Sequence, residues 1–501
     1  MYKIRLRKRI ECLVILSGFV FFLFLPLVSS ASSGFSPILH NKMEKSTGLF
    51  DRHNGLLHAS SRTVLPAGQT EDNIPAGQSE DNIPIGQTDG NIPVGQSEAE
   101  EAPAVIDADI FGKKGGYFHP FLLFEERYTD NLYNTNTNEA DDYITTVSPG
   151  LWIALPSNRE KLLDIGTTST SPGGLELSRI KPEATRRYQG YFLYSPEFVF
   201  YADHSGHNTT NHRVEGLFQY NFNMGLSLDV VNLFNDTHQA NNNGISEQID
   251  KYKDNLFNII ATYVPSEKIK FRLDYSNYDL NYDDIFNEYM NRNDNSFSAY
   301  IFYKIKPKTS IFIEYELSDI DFDTYSDSNS EEDRYYAGLQ WDVTAKTRGR
   351  IKLGYLNKDF DTPWVEDQDG FSFEVQSQHN FSPKRALQLT GFQRFNESNL
   401  IGSSCFRTTG GIVAWLQRFS EKWSGTLTGS FTHDKYEGVF TSNDFTDKRE
   451  DDTFYIAPAL RYEFREWATF DLAYIYTDRD SNFDYFDFVN NTFFLRLELS
   501  L

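Results

Sequence analysis

From Phe118 to the C-terminus the chain alternates with a period of two. Ile269-Lys-Phe-Arg-Leu-Asp-Tyr275, Ile311-Phe-Ile-Glu-Tyr-Glu-Leu317, Ile351-Lys-Leu-Gly-Tyr355 and Phe470-Asp-Leu-Ala-Tyr-Ile-Tyr476 show it most clearly. Successive side chains of a strand point to opposite faces. Each stretch is therefore a ribbon with an apolar face and a charged or small-residue face. Few folds use such ribbons in number.

Composition narrows the choice. Aromatic residues make up 15% of the chain, with 42 Phe and 29 Tyr, yet the mean hydropathy is −0.50. Beyond the N-terminus no apolar run approaches the ~18 residues of a membrane helix. In hydrocarbon every backbone N–H and C=O must be paired internally, so only helices and closed barrels can span it. The reading is an all-β fold: a transmembrane antiparallel up-and-down β-barrel over 112–501, with lipid outside and a polar lumen inside.

The first 31 residues read as a cleaved export signal. Lys3, Arg5, Arg7, Lys8 and Arg9 precede the apolar stretch Cys12 to Val28, and Ser29-Ser30-Ala31 offers a small-residue cleavage site. Removing it makes a chain of formal charge −24 more acidic still, which disfavours nucleic acid as a partner. Only Cys405 then remains, so no internal disulfide is expected. Residues 32–111 read as a disordered periplasmic linker. Within 66–97 a nine-residue repeat begins at Pro66, Pro75, Pro84 and Pro93 without the paired glycines of a calcium-binding roll.

Connections alternate in length along the barrel segment. Short turns follow Phe222, Val264, Ile305, Phe381, Phe419 and Phe464. Long, acidic connections are expected near 235–250, 279–295, 318–333, 358–370, 396–404, 434–451 and 478–487. Outer-membrane barrels sort their connections this way, with short turns in the periplasm and long loops outside. Strand centres are expected at Leu123, Trp152, Leu193, Leu217, Leu228, Ile259, Leu273, Ile301, Ile313, Leu339, Leu353, Phe373, Leu389, Val413, Leu427, Leu460, Leu472 and Leu497. The count is about 18, within 16–20, because the insertion at 157–187 could hide a further hairpin.

Alternation assigns faces. Lys270, Arg272, Asp274, Glu314, Glu316, Asp342, Arg350, Lys352, Glu374, Arg461, Glu463, Arg496 and Glu498 are expected to face the lumen. Their mixed signs suit either cross-strand pairing or a polar conduit for hydrated solutes. Phe493, Leu495, Leu497, Leu499 and Leu501 form the apolar face of a closing strand, the signal that barrel-assembly machinery reads. Trp152, Trp341, Trp415, Trp423 and Trp467 fall near strand ends beside short turns, where an aromatic girdle would lie.

No catalytic motif, metal site or cofactor site is expected. There is no Gly-rich phosphate loop, H-E-x-x-H or G-x-S-x-G. His204, His207 and His212 form the only close histidine set, and a solvated loop is the simpler account of them. Two acidic clusters fall on expected external loops: Asp319, Asp321, Asp323, Asp327, Glu331, Glu332 and Asp333, then Asp359, Asp361, Glu366, Asp367 and Asp369. Both lack the spacing of an EF-hand. They read as a solvated rim at the lipopolysaccharide surface, with loose divalent-ion binding as the alternative.

The barrel opens with Glu126-Arg-Tyr-Thr-Asp-Asn-Leu-Tyr133, followed by Asp142-Tyr-Ile-Thr-Thr-Val-Ser-Pro-Gly-Leu151. These segments resemble the opening of β-barrel porin families of Gram-negative outer membranes, with a "tDNl" turn and a "vsPGl" strand. The resemblance implies an outer-membrane channel, with exopolysaccharide as cargo and periplasmic polysaccharide-export proteins as partners. A general diffusion porin and a non-conducting structural or adhesive barrel are the competing readings.

Overall fold

The computed structural model describes residues 116–157, 187–240, 249–324, 326–344, 346–398, 400, 402–442 and 445–500. The signal (1–31), the linker (32–111), nearly all of the 157–187 insertion and Leu501 lie outside the described residues.

The strands run in order as β1 (Phe118–Thr129), β2 (Asp142–Leu155), β3 (Tyr188–Tyr201), β4 (Thr209–Asn221), β5 (Leu226–Ala240), β6 (Ile249–Tyr263), β7 (Ile269–Tyr282), β8 (Arg292–Lys306), β9 (Thr309–Phe322), β10 (Ser330–Thr344), β11 (Thr347–Phe360), β12 (Gln368–Ser382), β13 (Arg385–Glu397), β14 (Cys405–Arg418) and β15 (Trp423–Tyr436). A small hairpin, β16 (Phe440–Ser442) and β17 (Phe445–Asp447), stands in the next connection. The barrel resumes with β18 (Glu450–Arg465), β19 (Ala468–Ser481) and β20 (Phe488–Ser500).

Eighteen strands form one sheet, each antiparallel to the next, with β15 pairing directly to β18. The sheet closes on itself: β20 pairs with β1 from Phe121↔Ser500 to Thr129↔Thr492. Closure pairs both edges, which is what a wall in hydrocarbon requires. All the expected strand centres fall inside barrel strands, and from β3 onward short and long connections alternate between the two ends, the long 156–187 connection being the exception before it.

The strands extend further toward the long-loop end than expected. Asp319 and Asp321 belong to β9, Glu331, Glu332 and Asp333 to β10, Asp359 to β11 and Asp369 to β12. The connections there shrink to 283–291, 323–329 and 361–367. Ladder hydrogen bonds hold these hairpins above the apolar zone, where polar outward residues are tolerated.

The outer face is apolar and uncovered. Leu273, Ile313, Leu353 and Leu472 are 47–58% exposed. On β20, Phe493 (49%), Leu495 (41%) and Leu497 (39%) point outward while Arg496 (7%) and Glu498 (3%) point inward. Leu499 shares the outer face and is half-buried.

Two details explain the opening segments. Pro149 of β2 stands opposite Pro196 of β3, and the β2–β3 ladder lapses between Val147↔Phe198 and Leu151↔Tyr194. Proline offers no N–H to a ladder. Gly150 is opposite Phe121 of β1, whose ring occupies its side-chain space: a Cβ there would lie 2.1 Å from Phe121 Cζ.

Candidate functional site

All eighteen barrel strands enclose the interior, and many of its charged side chains are arranged in pairs. On β7, Arg272 and Asp274 are joined by hydrogen bonds of 2.5–2.9 Å. Arg292 binds Asp294 on β8 at 3.0 Å. Arg334 of β10 lies between Glu316 of β9, at 2.8 Å, and Glu332. Lys352 of β11 bridges Glu314 of β9 (2.9 Å) and Glu374 of β12 (3.4 Å), and Arg350 also reaches Glu374 at 2.8 Å. Lys358 of β11, fully buried, sits 2.9 Å from Glu332 and 2.7 Å from Glu397. Basic and acidic groups alternate through this set, so each cation in it lies against a carboxylate.

A second set of pairs flanks the closing seam. Arg461 of β18 binds Asp471 of β19 at 2.5 Å. Arg496 of β20 binds Glu125 of β1, with Nε at 2.8 Å. Glu498 accepts from Thr469 at 3.5 Å. Lys270 lies 3.8 Å from the ring centroid of Phe302. Glu463 shares the inner face of β18 with Arg461. Asp342 lies within β10, but its side chain is outside the described residues.

The interior is not polar throughout, which corrects the sequence expectation. Leu123, Trp152, Leu193, Val231, Leu233 and Leu256 belong to one buried apolar cluster spread over β1–β7. The early strands are apolar on both faces, as in Phe121-Leu-Leu-Phe124 and Ile259-Ile260, so alternation there does not separate lipid from lumen. One wall of the interior is thus apolar and another is ion-paired.

Trp152 is a second correction. It points inward, 3% exposed, and stacks on His119 with ring centroids 3.5 Å apart and planes within 6°. It shares its face with Ile144 and Ala154, while Leu151 and Ile153 take the outer side, so its place in the two-residue phase excludes it from an outer girdle. Trp415 (36%), Trp423 (42%) and Trp467 (43%) are outward and exposed at the short-turn end. Trp341 is half-buried on the outer face of β10.

The "tDNl" segment is a clasp across the seam. Asp130 receives the backbone N–H and the side-chain amide of Asn491, both at 2.7 Å. Asn131 donates to the carbonyl of Val489 at 3.0 Å, and Asn490 donates to the Asn131 carbonyl at 2.7 Å. The sequence pattern marked the turn without revealing its partners on β20.

At the long-loop end, Asp142 opens β2 and accepts the backbone N–H groups of Ala202, Asp203 and His204 at 3.0–3.1 Å. His204 Nδ1 also meets Asp142, at 2.8 Å. His207 Nε2 lies 2.8 Å from the Tyr133 hydroxyl. Burial pushes the His207 imidazole below its ordinary range, and the His204 charge adds to this against the opposing pull of Asp142. His212 is separate, on β4 opposite Pro196. Across the mouth, Leu400, Phe406, Tyr436, Phe440, Phe483 and Phe486 gather into another apolar cluster. Arg449 is buried beside it, its guanidinium 3.6 Å from the Phe486 ring centroid.

A family model described as "Putative beta-barrel porin 2" matches residues 199–501. No curated protein matches the chain. Among solved structures, the chain is similar to OpdK of Pseudomonas aeruginosa with vanillate at 9% identity and TM-score 0.42, covering 77% of this chain and 100% of that one. A BenF-like porin from Pseudomonas fluorescens Pf-5 gives 7% identity and TM-score 0.42, covering 77% and 99%. OccAB4 of Acinetobacter baumannii gives 10% identity and TM-score 0.38, covering 77% and 99%.

Proposed function

The chain belongs to that β-barrel porin family, and from this membership we propose that it is a passive outer-membrane channel for hydrated, largely uncharged solutes, with exopolysaccharide as the cargo. The protein is an outer-membrane β-barrel of a Gram-negative bacterium, with a porin-like architecture. The observation that carries the finer reading is the local pairing of interior charge, from Arg272–Asp274 to Lys358–Glu397. A wall whose cations and carboxylates neutralise one another attracts neither anions nor cations strongly. Passage then depends on size and hydrogen bonding, and no covalent step is required.

Partners follow from position. The outward aromatic residues at the short-turn end, Trp415, Trp423 and Trp467, suit the periplasmic lipid interface. The long-loop end would then meet lipopolysaccharide. The apolar face of β20 is the element assembly machinery would engage, and periplasmic polysaccharide-export proteins would meet the short turns.

The test is a planar-bilayer recording of the purified protein in a KCl gradient. A steady current with a reversal potential near zero supports the channel and its balanced wall. A strongly ion-selective current would remove the balanced-wall argument. The complete burial of Lys358 and the apolar packing at the long-loop ends of β14 and β15 favour one second reading, a non-conducting structural barrel. Absence of current would select it. For the cargo, deletion of the coding gene should abolish surface polysaccharide, and unchanged export would overturn that assignment.

A further inference from the structure

Many interior charges are ion-paired, but one interior strand is built otherwise. Every inward residue of β15 from 424 to 434 is hydroxylated or acidic: Ser424, Thr426, Thr428, Ser430, Thr432 and Asp434. The outward residues between them are Gly425, Leu427, Gly429, Phe431 and His433. At ~3.4 Å per residue the row runs about 34 Å, more than the ~25 Å apolar band of an outer-membrane barrel.

Part of the row is flanked by small side chains, while Leu416 stands opposite Thr426 and Tyr455 opposite Ser430. On β14, Ala414 is opposite Thr428 and Gly410 is opposite Thr432. On β18, Ala457 is opposite Thr428 and Ala459 is opposite Thr426. The methyl of Thr432 occupies the space above Gly410, where an added Cβ would lie 2.8 Å from Thr432 Cγ2.

Several of these oxygens lack partners. Among the described residues, Thr428 Oγ1, Ser430 Oγ, Thr432 Oγ1, Thr453 Oγ1 and Asp434 Oδ2 are buried and form no hydrogen bond. Thr453 is opposite Thr432, so these groups are neighbours on adjacent strands. Buried polar groups are ordinarily paired, and leaving them unpaired is costly. Packing alone does not account for the row, since valine and alanine would fill the same space without that cost.

Resting on the channel reading above, we infer that the inner face of β15 is a hydroxyl lane that binds and guides neutral polyhydroxylated solutes, linear saccharides foremost. A hydroxyl donates and accepts, so it matches a sugar hydroxyl in either role. The lane repeats about every 6.8 Å, two residues of strand, so a chain can exchange one set of weak bonds for the next. It carries no ionisable side chain until Asp434, whose Oδ1 accepts from Thr408 at 2.5 Å.

The test uses the full-length protein in detergent, maltoheptaose as probe, and saturation-transfer NMR and calorimetry as readouts. Wild type binds saturably. The triple variant Thr428→Val, Ser430→Ala, Thr432→Val binds at least about tenfold more weakly, as expected for three lost hydrogen bonds. Thr432→Ser, which keeps the hydroxyl, retains affinity. The triple variant removes unpartnered buried hydroxyls, so its heat-modifiable mobility on gels should match wild type. No wild-type binding, or equal binding by the triple variant, overturns the lane. Ion conductance of the same preparations is measured separately. Binding lost in the variant with no current in either protein keeps the lane and removes the channel, while current without binding does the reverse.

Discussion

Glu397, at the long-loop end of β13, holds Lys358 of β11 at 2.7 Å although β12 lies between the two strands. The contact exists because β13 leaves β12 beyond Gln393, where the β12–β13 register ends at Phe373, yet stays with β14 as far as Cys405. On this end Phe395 is buried with Leu356, Phe360 and Cys405 in one apolar cluster.

Removing one member of this group should be costly. Lys358→Met leaves Glu332 and Glu397 buried with a charge unmet, and is expected to destabilise the barrel by about 3–5 kcal/mol. Adding Glu397→Gln should restore a large part, since Glu332 keeps Arg334. Urea unfolding in lipid vesicles, run as a double-mutant cycle, checks both. Additive losses would mean that the two side chains do not interact.

The seam clasp predicts a local effect with a global readout. Asp130→Ala removes two acceptor contacts to Asn491 and should lower stability by about 1.5–3 kcal/mol. The temperature at which the folded band disappears in gel-shift assays should fall. An unchanged transition would mean that the clasp contributes nothing to closure.

Gly150 predicts a steric rescue. Gly150→Val should impair folding into vesicles, because even its Cβ would overlap the Phe121 ring. Phe121→Ala in the same chain should recover folding yield. Failure of the rescue would place the conflict elsewhere.

Tryptophan orientation is testable by quenching with brominated lipid. Single-tryptophan variants retaining Trp415, Trp423 or Trp467 should be quenched, because those rings are outward. A variant retaining only Trp152 should keep its emission, because that ring is stacked inside on His119. Equal quenching of all four would contradict the inward assignment.

The mouth has a pH dependence set by His207. Its imidazole is held below the ordinary value of about 6.5, so the folded loop binds fewer protons than the unfolded one. Its contribution is complete above that ordinary value and declines as the pH falls through the window beneath it. NMR titration should place His207 below 6.5 and show loop 202–208 exchanging amides faster on acidification.

Strand number, phase and the order of connections could be read from the sequence, because each depends on local alternation alone. Phase places Glu314, Lys352 and Arg496 on the face opposite the exposed apolar residues of their strands. It misled at Trp152, where an interfacial residue type outweighed its position in the alternation. Lys358 and Glu397 fall in segments whose composition reads as loop, although the even-numbered series through Lys352 and Leu356 points Lys358 inward. The apolar inner wall was missed because strands with two greasy faces carry no phase. Bonds from Asp130 to Asn491 and from Glu397 to Lys358 depend on which strands become neighbours, and periodicity holds no information about that.

The pairing of β1 with β20 sets a timetable for the molecule. Arg496 meets Glu125 across 371 positions of chain, so no early portion can make the ring smaller and finish sooner. Until β20 arrives, the growing sheet has two raw margins, each able to recruit a stranger's strand. The protein therefore needs an escort for its whole unfinished length, and loss of its final strand should yield an open, sticky ribbon instead of a seventeen-stave barrel.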